Sequence, residues 1–513
     1  MKKLVCILLT AILVLGLCAC GKSNEGGSAA AGTDGVFAVG YSQVDITPTG
    51  DVPMAGLGDD AERISNKIMD HLYATCVAVK DAEGNTVIMF FLDLLNTYDE
   101  ITKEVRTLVS EATGVPYSNV MMSASHTHSG VSHYTIQNPA LLKHKEEYKE
   151  RCVQAAKDAV ADLKPAQMYG TFSRPENLNY VRHYVLKDGT YQAYKLGLLP
   201  EGSVYGHLWK ADNLLQMIKF TREGGKDVVL MNWQAHYAGA TGVDYNGISA
   251  DYPSFMRQVV EEELDCYSAF VLGGAGDLTC GSRLDAGRED TNYIDHGKKL
   301  GAAAVEAAKN FVPLETGNIQ LREFPFVAEG TAKENYLYTI GFGDFGIAFA
   351  PWEIFDVNAL GVREDSKYLY TFYASCANGG AYNMYLAHEF AYSYYCYESS
   401  TAKYPMGTAE AVQAKLTEMI NECFDASGQA QKERAEGYMS TPYVPVSDGV
   451  TYTCVNTLDQ LVEGQNGHYP MKILADTAMK EILILNREVA EQIVEKGTMK
   501  LLFDERNIVV GVE

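Results

Sequence analysis

The feature that most constrains the fold is an alternation of short apolar runs with longer amphipathic stretches across residues 36–425. Short apolar runs separated by helical stretches are typical of sheets covered by helices. The runs predicted as strands are 87–92, 119–123, 228–233, 269–272 and 347–350, and the stretches predicted as helices lie near 99–113, 140–164, 251–264, 292–311 and 408–424. The sequence therefore predicts an α/β fold with mixed sheets flanked by helices.

The first twenty residues have the pattern of an export signal. Lys2 and Lys3 precede an apolar run that is too short to span a bilayer, and the run ends in a small residue before Cys20. This pattern is typical of a lipoprotein signal, with an ordinary signal peptide or an uncleaved anchor as the alternatives. We predict a signal over 1–20, lipidation of Cys20, a flexible Gly/Ser/Ala tether over 21–35 and an extracytoplasmic protein anchored by lipid to the bacterial cell membrane.

Charge and cysteine spacing exclude two classes of protein. The chain carries 66 acidic against 42 basic residues, a formal charge of -24, and such a surface repels phosphate backbones. Nucleic acid is therefore excluded as a partner. The eight cysteines after Cys20 are scattered and form no CxxC pair, which argues against a disulfide scaffold or a cysteine zinc site.

The C-terminal part of the chain is predicted to be separate from the main body. Residues 426–445 are polar and contain proline, which predicts a linker, and residues 446–513 predict a small α+β domain. Its predicted elements are a helix over 455–463, a strand over 480–486, a helix over 489–497 and a strand over 507–512. No residue type or spacing in it indicates catalysis.

Polar side chains in the main body share one placement, directly after a predicted strand. In open α/β sheets, ligands bind beyond the carboxyl ends of the strands, so these side chains are expected to converge. They are His126 and His128 after 119–123, His236 after 228–233, Asp277 and Thr279 after 269–272, and Glu353 after 347–350.

Two imidazoles and a carboxylate suit a zinc ion that keeps one position open for water. If strand geometry persists through His126 and His128, both rings point to the same side. Tyrosines of the aromatic stretch 382–397 add phenols that bind a metal or donate to an oxyanion. Taken singly, each of these residues is more typical of a hydrogen-bonded or packed position, and only their shared placement favours a metal site.

Several motifs together resemble the neutral/alkaline (non-lysosomal) ceramidases, which hydrolyse the amide bond of N-acylsphingosines. The resemblance covers roughly residues 38–425. The motifs are DITP at 45–48, SHTHSG at 125–130, NWQAH at 232–236, GDLT at 276–279, PWE at 351–353 and the spacing from Tyr385 to Tyr397-Glu398.

The resemblance implies a zinc ion (Zn2+) as cofactor and a lipid-like N-acyl amide as substrate, cleaved by a zinc-activated water. It implies His126, His236, Glu353 and Tyr385 as zinc ligands, His128 as the proton acceptor, and Tyr397, Arg182, Asp277 and Thr279 as further catalytic residues. Thr279 stands where the family has serine, and its extra methyl and stiff χ1 favour a hydrogen-bonding role over a nucleophilic one.

Two other functions remain compatible with the sequence. One is a solute- or glycan-binding surface lipoprotein, in which the histidines are structural and the tyrosines form a binding platform. The other is a metal-dependent esterase or deacetylase, for which an open polar groove would be expected in place of a narrow apolar slot. The sequence leaves open whether the substrate is ceramide or another N-acyl compound, and it does not indicate the oligomeric state.

Overall fold

The structure is a computed structural model, and it describes residues 33, 35–186, 191–193, 204–236, 238–281, 292–379, 385–392, 396–439, 449–463, 469–475, 478–484, 486–503 and 509–513. The α-helices within these ranges are α1 (Asp99–Thr113), α2 (Pro139–Ala161), α3 (Gly239–Val243), α4 (Tyr252–Leu264), α5 (Tyr293–Ala308), α6 (Asp356–Glu364), α7 (Tyr397–Thr401), α8 (Thr408–Ser427) and α9 (Arg487–Lys496).

The strands are likewise numbered along the chain. They are β1 (Ala38–Asp45), β2 (Lys67–Ile68), β3 (Tyr73–Lys80), β4 (Thr86–Leu92), β5 (Val120–Ala124), β6 (Lys164–Ser173), β7 (Tyr180–Val181), β8 (His183–Leu186), β9 (Tyr191–Ala193), β10 (Val204–His207), β11 (Leu215–Arg222), β12 (Val228–Trp233), β13 (Gly247–Ile248), β14 (Tyr267–Leu272), β15 (Leu278–Thr279), β16 (Val312–Leu314), β17 (Gln320–Val327), β18 (Glu334–Phe342), β19 (Phe345–Phe349), β20 (Glu353–Ile354), β21 (Tyr370–Ala374), β22 (Tyr385–Leu386), β23 (Thr451–Cys454), β24 (Tyr469–Ala475), β25 (Ala478–Ile484), β26 (Thr498–Phe503) and β27 (Val509–Val512).

Helix ends follow from short-range chemistry. Pro139 begins α2, and the Asn138 side chain accepts a hydrogen bond from the Leu141 backbone N–H, which satisfies one of the open donors of the first turn. Helix α1 ends at Gly114, whose φ of 74° lets its N–H reach back to the Ser110 carbonyl. The predicted bounds of α1, 99–113, are therefore confirmed.

A nine-stranded mixed sheet forms the centre of the body. Its order is β14-β12-β11-β6-β1-β3-β4-β5, with β16 paired to β6. The pairs β4–β5 and β12–β14 are parallel, and the others on this path are antiparallel. Strands β5, β12 and β14 are followed by the segments that contain His126, His128, His236, Asp277 and Thr279 of the candidate site.

A second, four-stranded sheet packs against one face of the first. Its order is β17-β18-β19-β21, with β19 and β21 parallel. One apolar cluster joins the two sheets, because it contains Ile218 and Val228 of the first sheet together with Ile340, Ile347 and Phe372 of the second. This contact removes an apolar face of each sheet from water, which stabilises both sheets.

Helices cover the outer faces of both sheets. Side chains of α1, α2, α4 and α5 pack on the free face of the nine-stranded sheet, and α6 and α8 pack on the free face of the four-stranded sheet. The body thus has four layers, helices, sheet, sheet and helices. The prediction of an α/β fold with mixed sheets flanked by helices is confirmed, and the pairing of two sheets is the part that the sequence did not predict.

The C-terminal α+β segment is a five-stranded sheet, β25-β24-β23-β26-β27, with α9 packed on it. The helix predicted over 455–463 is wrong. The Val455 N–H instead donates to the Lys472 carbonyl, and a capping box between Thr457 and Gln460 limits the segment to one 3₁₀ turn, Leu458–Gln460. The backbone before that turn is thereby held to the sheet.

Part of the segment predicted as a linker contacts the main body. Arg434 donates to the backbone carbonyls of Arg363, Glu364 and Tyr368, and the Tyr438 side chain is buried between the two sheets. The domain limits at 425 and 446 stay predictions, as do the signal over 1–20 and most of the tether, which lie outside the described residues.

Two further findings concern membranes and cysteines. In the part of the chain that the structure describes, no helix combines the length and hydropathy that crossing a membrane requires. The eight described cysteines are all free thiols, and every one except Cys454 is buried.

Candidate metal and active site

The loop that follows β5 carries His126 and His128, and a backbone carbonyl fixes each ring. His126 Nδ1 lies 2.9 Å from the Leu95 carbonyl oxygen, and His128 Nδ1 lies 3.0 Å from the Gly56 carbonyl oxygen. Because a carbonyl oxygen only accepts, each Nδ1 carries a proton. A neutral ring held in this way presents a bare Nε2, the form that binds a metal or accepts a proton.

The strand geometry assumed for these two histidines is wrong. Strand β5 ends at Ala124, and His126 has a left-handed φ of 66°. The two ring planes lie 87° apart with centroids separated by 5.0 Å. The rings therefore converge because the chain turns at His126, and not because two residues of one strand share a face.

His236 and Glu353 complete the cluster. Glu353 Oε2 lies 3.0 Å from His126 Nε2 and 3.9 Å from His236 Nδ1, while His236 Nε2 lies 2.7 Å from His128 Nε2. Ligand atoms of the three histidines all lie within 4.8 Å of one another. Four side chains from three distant segments of the sequence are thus brought together, as predicted from the strand ends.

The cluster meets the requirements of a cation site. Both His126 Nε2 and Glu353 Oε2 are buried, and within the described residues neither has a hydrogen-bond partner, although they face each other. Burial lowers the pKa of His126, but the charge of Glu353 outweighs it and raises the pKa well above its usual value. The pair therefore attracts positive charge, either a proton or a metal ion.

His236 and His128 are held neutral. Burial lowers the pKa of His236 well below its usual value, and the Arg182 charge lowers it further. Burial does the same for His128, with a contribution from His126. Neutral imidazoles are required both for metal binding and for accepting a proton.

Tyr385 is placed beside Glu353 by the parallel pairing of β20 with β22. Arg182 connects it to the histidines: its Nη2 donates to the Tyr385 hydroxyl at 3.1 Å, and its Nη1 lies 2.9 Å from His236 Nδ1. The same guanidinium donates to the Gly276 carbonyl at 2.8 Å and to Glu398 Oε1 at 2.7 Å. Arg182 therefore holds two of the predicted ligands in register.

Asp277, Thr279 and Tyr397 surround this cluster in different ways. Asp277 Oδ1 accepts from the Asp356 backbone N–H at 2.7 Å, and the Asp277 carbonyl accepts from the Arg182 N–H at 2.8 Å. Thr279 pairs with Tyr180 in the short ladder of β15 and β7. The Tyr397 ring lies 5.7 Å from that of Tyr385, and the residue is 46% exposed, at the solvent side of the cluster. The catalytic roles of these three stay predictions.

Sequence reasoning missed two charged residues that hold the site. Glu398 binds Arg182, and burial would raise its pKa, but the charges of Arg182 and His183 lower it to about 2. Arg63 donates to the carbonyl oxygens of Ala55 at 2.9 Å, His128 at 2.7 Å and Tyr245 at 2.8 Å. The Tyr-Glu pair at 397–398 was a signal for Glu398, whereas nothing in the local sequence distinguishes Arg63.

The fold and the side-chain cluster define a four-layer α/β protein with a candidate metal site at the strand ends. Residues 37–279, a little under half of the chain, match the family model described as neutral/alkaline non-lysosomal ceramidase, N-terminal.

Two solved structures share the fold. The neutral ceramidase from Pseudomonas aeruginosa is 16% identical with a TM-score of 0.62, and the alignment covers 86% of this chain and 84% of that chain. A ceramidase complexed with C2 is 17% identical, with the same TM-score of 0.62 and coverage of 86% and 84%.

Proposed function

We propose that this chain is a zinc-dependent amidohydrolase of the neutral/alkaline ceramidase type that cleaves the amide bond of a lipid-like N-acyl compound. The observation that carries the proposal is the convergence of His126, His236 and Glu353, with His128 and Tyr385 beside them, in a chain whose residues 37–279 match the ceramidase family model. The fold of the two solved ceramidases, shared over most of the chain, supports it.

The residues present fit a zinc ion. His126 Nε2, a Glu353 oxygen and the Tyr385 phenol are nitrogen and oxygen ligands of the kinds that catalytic zinc uses, and His236 would join them by giving up its contact with Arg182 or with His128. A bound zinc ion supplies a Lewis acid that lowers the pKa of a water molecule and polarises a carbonyl oxygen.

His128 is the proton carrier in this proposal. Its Nδ1–H is held by the Gly56 carbonyl, so its Nε2 faces the cluster as an acceptor. A water that attacks the amide carbonyl gives its proton to this nitrogen, and His128 then returns the proton to the leaving amine. Arg182 keeps Tyr385 and His236 aligned during both steps.

The test measures metal content and activity in matched histidine variants. We expect purified protein to hold zinc, and His126→Ala to lose it together with at least about 1000-fold of the activity on N-acyl amides. His133→Ala is the control, since His133 is buried in the same region but its ring packs against His144 and Tyr148. Zinc and activity that survive in His126→Ala would refute the proposal.

A substrate panel distinguishes the remaining classes. Ceramides, other N-acyl amides and acyl esters of matched chain length should be compared on the same preparation. Preference for amides with long acyl chains supports the ceramidase reading, preference for esters indicates an esterase, and binding without turnover indicates a solute-binding protein.

We also propose that the protein is anchored outside the cytoplasm by lipid on Cys20. The support is the sequence pattern of residues 1–20 alone. Mass spectrometry of the N-terminal peptide should show a lipid-modified cysteine, and Cys20→Ala should release the protein from the membrane fraction. A Cys20→Ala protein that fractionates with membranes as before would contradict the anchor.

A further inference from the structure

A second group of side chains of the types that bind metals lies next to Arg182. His183 begins β8, Glu398 lies in α7, and Cys396 is the residue before that helix. All three are at most 1% exposed, and one ligand atom from each lies within 4.8 Å of the others. The group shares no member with the cluster of His126, His128 and His236.

The chemistry of this group suits a soft divalent cation. An imidazole, a thiol and a carboxylate are the ligand types of zinc sites, and the thiol favours zinc or cadmium over magnesium or calcium. His183 Nε2 lies 3.2 Å from Glu398 Oε2. Two ligands that bind one tetrahedral ion at about 2.0–2.1 Å lie at a similar separation.

The same arrangement occurs in the candidate active site. There an imidazole Nε2 of His126 faces a carboxylate oxygen of Glu353 at 3.0 Å, with a third ligand close by. In both places the facing imidazole and carboxylate come from separate elements, and each of these side chains is at most 13% exposed. Buried facing pairs of this kind are stable when a cation, either a proton or a metal ion, lies between them.

Cys396 is also suitably held. Its sulfur lies 3.3 Å from the Ser399 backbone nitrogen as the N-cap of α7, and 2.9 Å from the Ser399 hydroxyl. Burial raises the pKa of the thiol to about 11, with a contribution from the Glu398 charge. A cation bound to Glu398 would remove that contribution and favour the thiolate.

We propose that His183, Cys396 and Glu398 form a second cation site for a zinc-like ion, and that its occupation inhibits the enzyme. Glu398 is the shared element, because its Oε1 accepts from Arg182 Nε while its Oε2 faces His183. An ion bound there places a second positive charge beside Arg182 and weakens the pair that fixes the guanidinium. Tyr385 and His236, which Arg182 contacts, then lose alignment.

Arg182 also sets the expected strength of the site. Its charge repels an incoming cation, whereas the active-site cluster contains a carboxylate that is not shared with an arginine within the described residues. The second site should therefore fill after the first and only at higher metal concentration. Inhibition by excess zinc is the expected consequence. That half of the proposal rests on the proposed function, while the binding half does not.

The test uses the full chain loaded with one equivalent of zinc and titrated with cadmium. We expect a second bound equivalent, accompanied by the ultraviolet charge-transfer band of a cadmium–thiolate bond. Cys396→Ser should lose the band and weaken the second equivalent by at least the roughly 10- to 100-fold that follows loss of an outer partner. Serine preserves the helix cap, so the variant is expected to fold and to keep its activity.

Cys423→Ser is the matched control, because Cys423 is buried in α8 and hydrogen-bonded to Thr339, outside both groups. It should retain the band, the second equivalent and the inhibition. A wild-type chain that binds one equivalent only, or a Cys396→Ser chain that keeps the band, would overturn the site. A second equivalent that leaves turnover unchanged would overturn the inhibitory role. If the chain proves to have no hydrolase activity, the band and the stoichiometry still decide whether the site exists.

Discussion

Arg257 and Arg182 are both buried and each pairs with a buried carboxylate, but the two arginines distribute their hydrogen-bond donors differently. Arg257 Nη1 and Nη2 donate to the two oxygens of Asp93, at 2.8 and 2.7 Å. Arg182 gives one donor to Glu398 and directs the others to the Gly276 carbonyl, His236 and Tyr385. The first is a fork bound to one partner, and the second is divided among four.

The difference separates structure from chemistry. A bidentate pair uses the guanidinium geometry fully and joins α4 to the end of β4, so it contributes to folding. A divided guanidinium satisfies Glu398 less completely, but it sets the relative positions of groups that would touch substrate or metal. The comparison predicts that changes at Arg257 act on stability and changes at Arg182 act on turnover.

The largest effect is expected from Arg257→Met. Removing one partner of a buried pair leaves the Asp93 carboxylate uncompensated, which should lower the free energy of unfolding by about 3–5 kcal/mol. Urea denaturation measures the loss, and turnover per folded molecule should not change. Arg487→Met is the control: its pair with Glu491 is exposed to solvent, so its loss should barely change the free energy of unfolding. Equal losses in the two variants would contradict the structural role of Arg257.

Arg182→Lys should act in the opposite way. The charge next to Glu398 remains, but lysine cannot donate to His236 and Tyr385 with the planar fork. We expect kcat to fall about 100- to 1000-fold, while the midpoint of thermal unfolding changes little. Steady-state kinetics and calorimetry on one preparation give both numbers. A variant that loses stability and keeps kcat would show that Arg182 is structural, like Arg257.

Arg63 extends the comparison to a third buried arginine, whose hydrogen bonds go to backbone carbonyls. It joins the loops of Ala55, His128 and Tyr245, so Arg63→Lys should shift His128 and lower kcat about tenfold, with little change in KM. Arg106→Lys is the matched control, because Arg106 is also buried and donates to the Val120 and Tyr117 carbonyls at the start of β5, the end of the strand away from His128. Equal kcat losses in both variants would remove Arg63 from the site.

The smallest effect is expected in the loss of stability at low pH, which His144 should control rather than Arg182 or Arg257. Burial lowers the pKa of His144 to about 4. The unfolded chain takes up a proton near pH 6.5 and the folded chain only near pH 4, so this residue's contribution to stability is lost as the pH falls through that window. His144→Phe should reduce the stability lost between pH 7 and pH 5 by on the order of 1–2 kcal/mol.

Denaturant unfolding at the two pH values measures this difference. Tyr148→Phe is the control, because the Tyr148 ring is buried beside His144 and burial raises the pKa of its phenol well above the usual value of 10. The control should unfold with the pH dependence of the wild type. An unchanged pH dependence in His144→Phe would show that another group controls acid unfolding.

The sequence was sufficient for the strands that carry the site. Apolar runs mark β4, β5, β12, β14 and β19, and the expectation that strand ends converge groups His126, His236 and Glu353 from the sequence alone. This worked because the information is local: a run of apolar residues and the polar residue that follows it.

The residues that hold the site could not be found in that way. Arg63 bonds to residues 55, 128 and 245, and Glu398 bonds to Arg182, so their partners are set by the packing of distant segments. A buried charge looks like any surface charge in a sequence until its partner is known. The same reason explains why the pairing of the two sheets was not predicted. The sequence of a strand indicates that the strand is buried, but not which element packs against it.

The left-handed turn at His126 has a consequence for anyone who wants to transplant this site. Copying residues 125–130 onto the end of a regular strand would reproduce the motif. The backbone would then stay extended, however, and the His126 and His128 rings would lie further apart. A host scaffold must instead supply carbonyl groups in the positions of Leu95 and Gly56, one for each imidazole ring. Its backbone must also adopt a left-handed conformation at the position of His126. What has to be inherited is a bend in the main chain, and the histidines are only useful once it is in place.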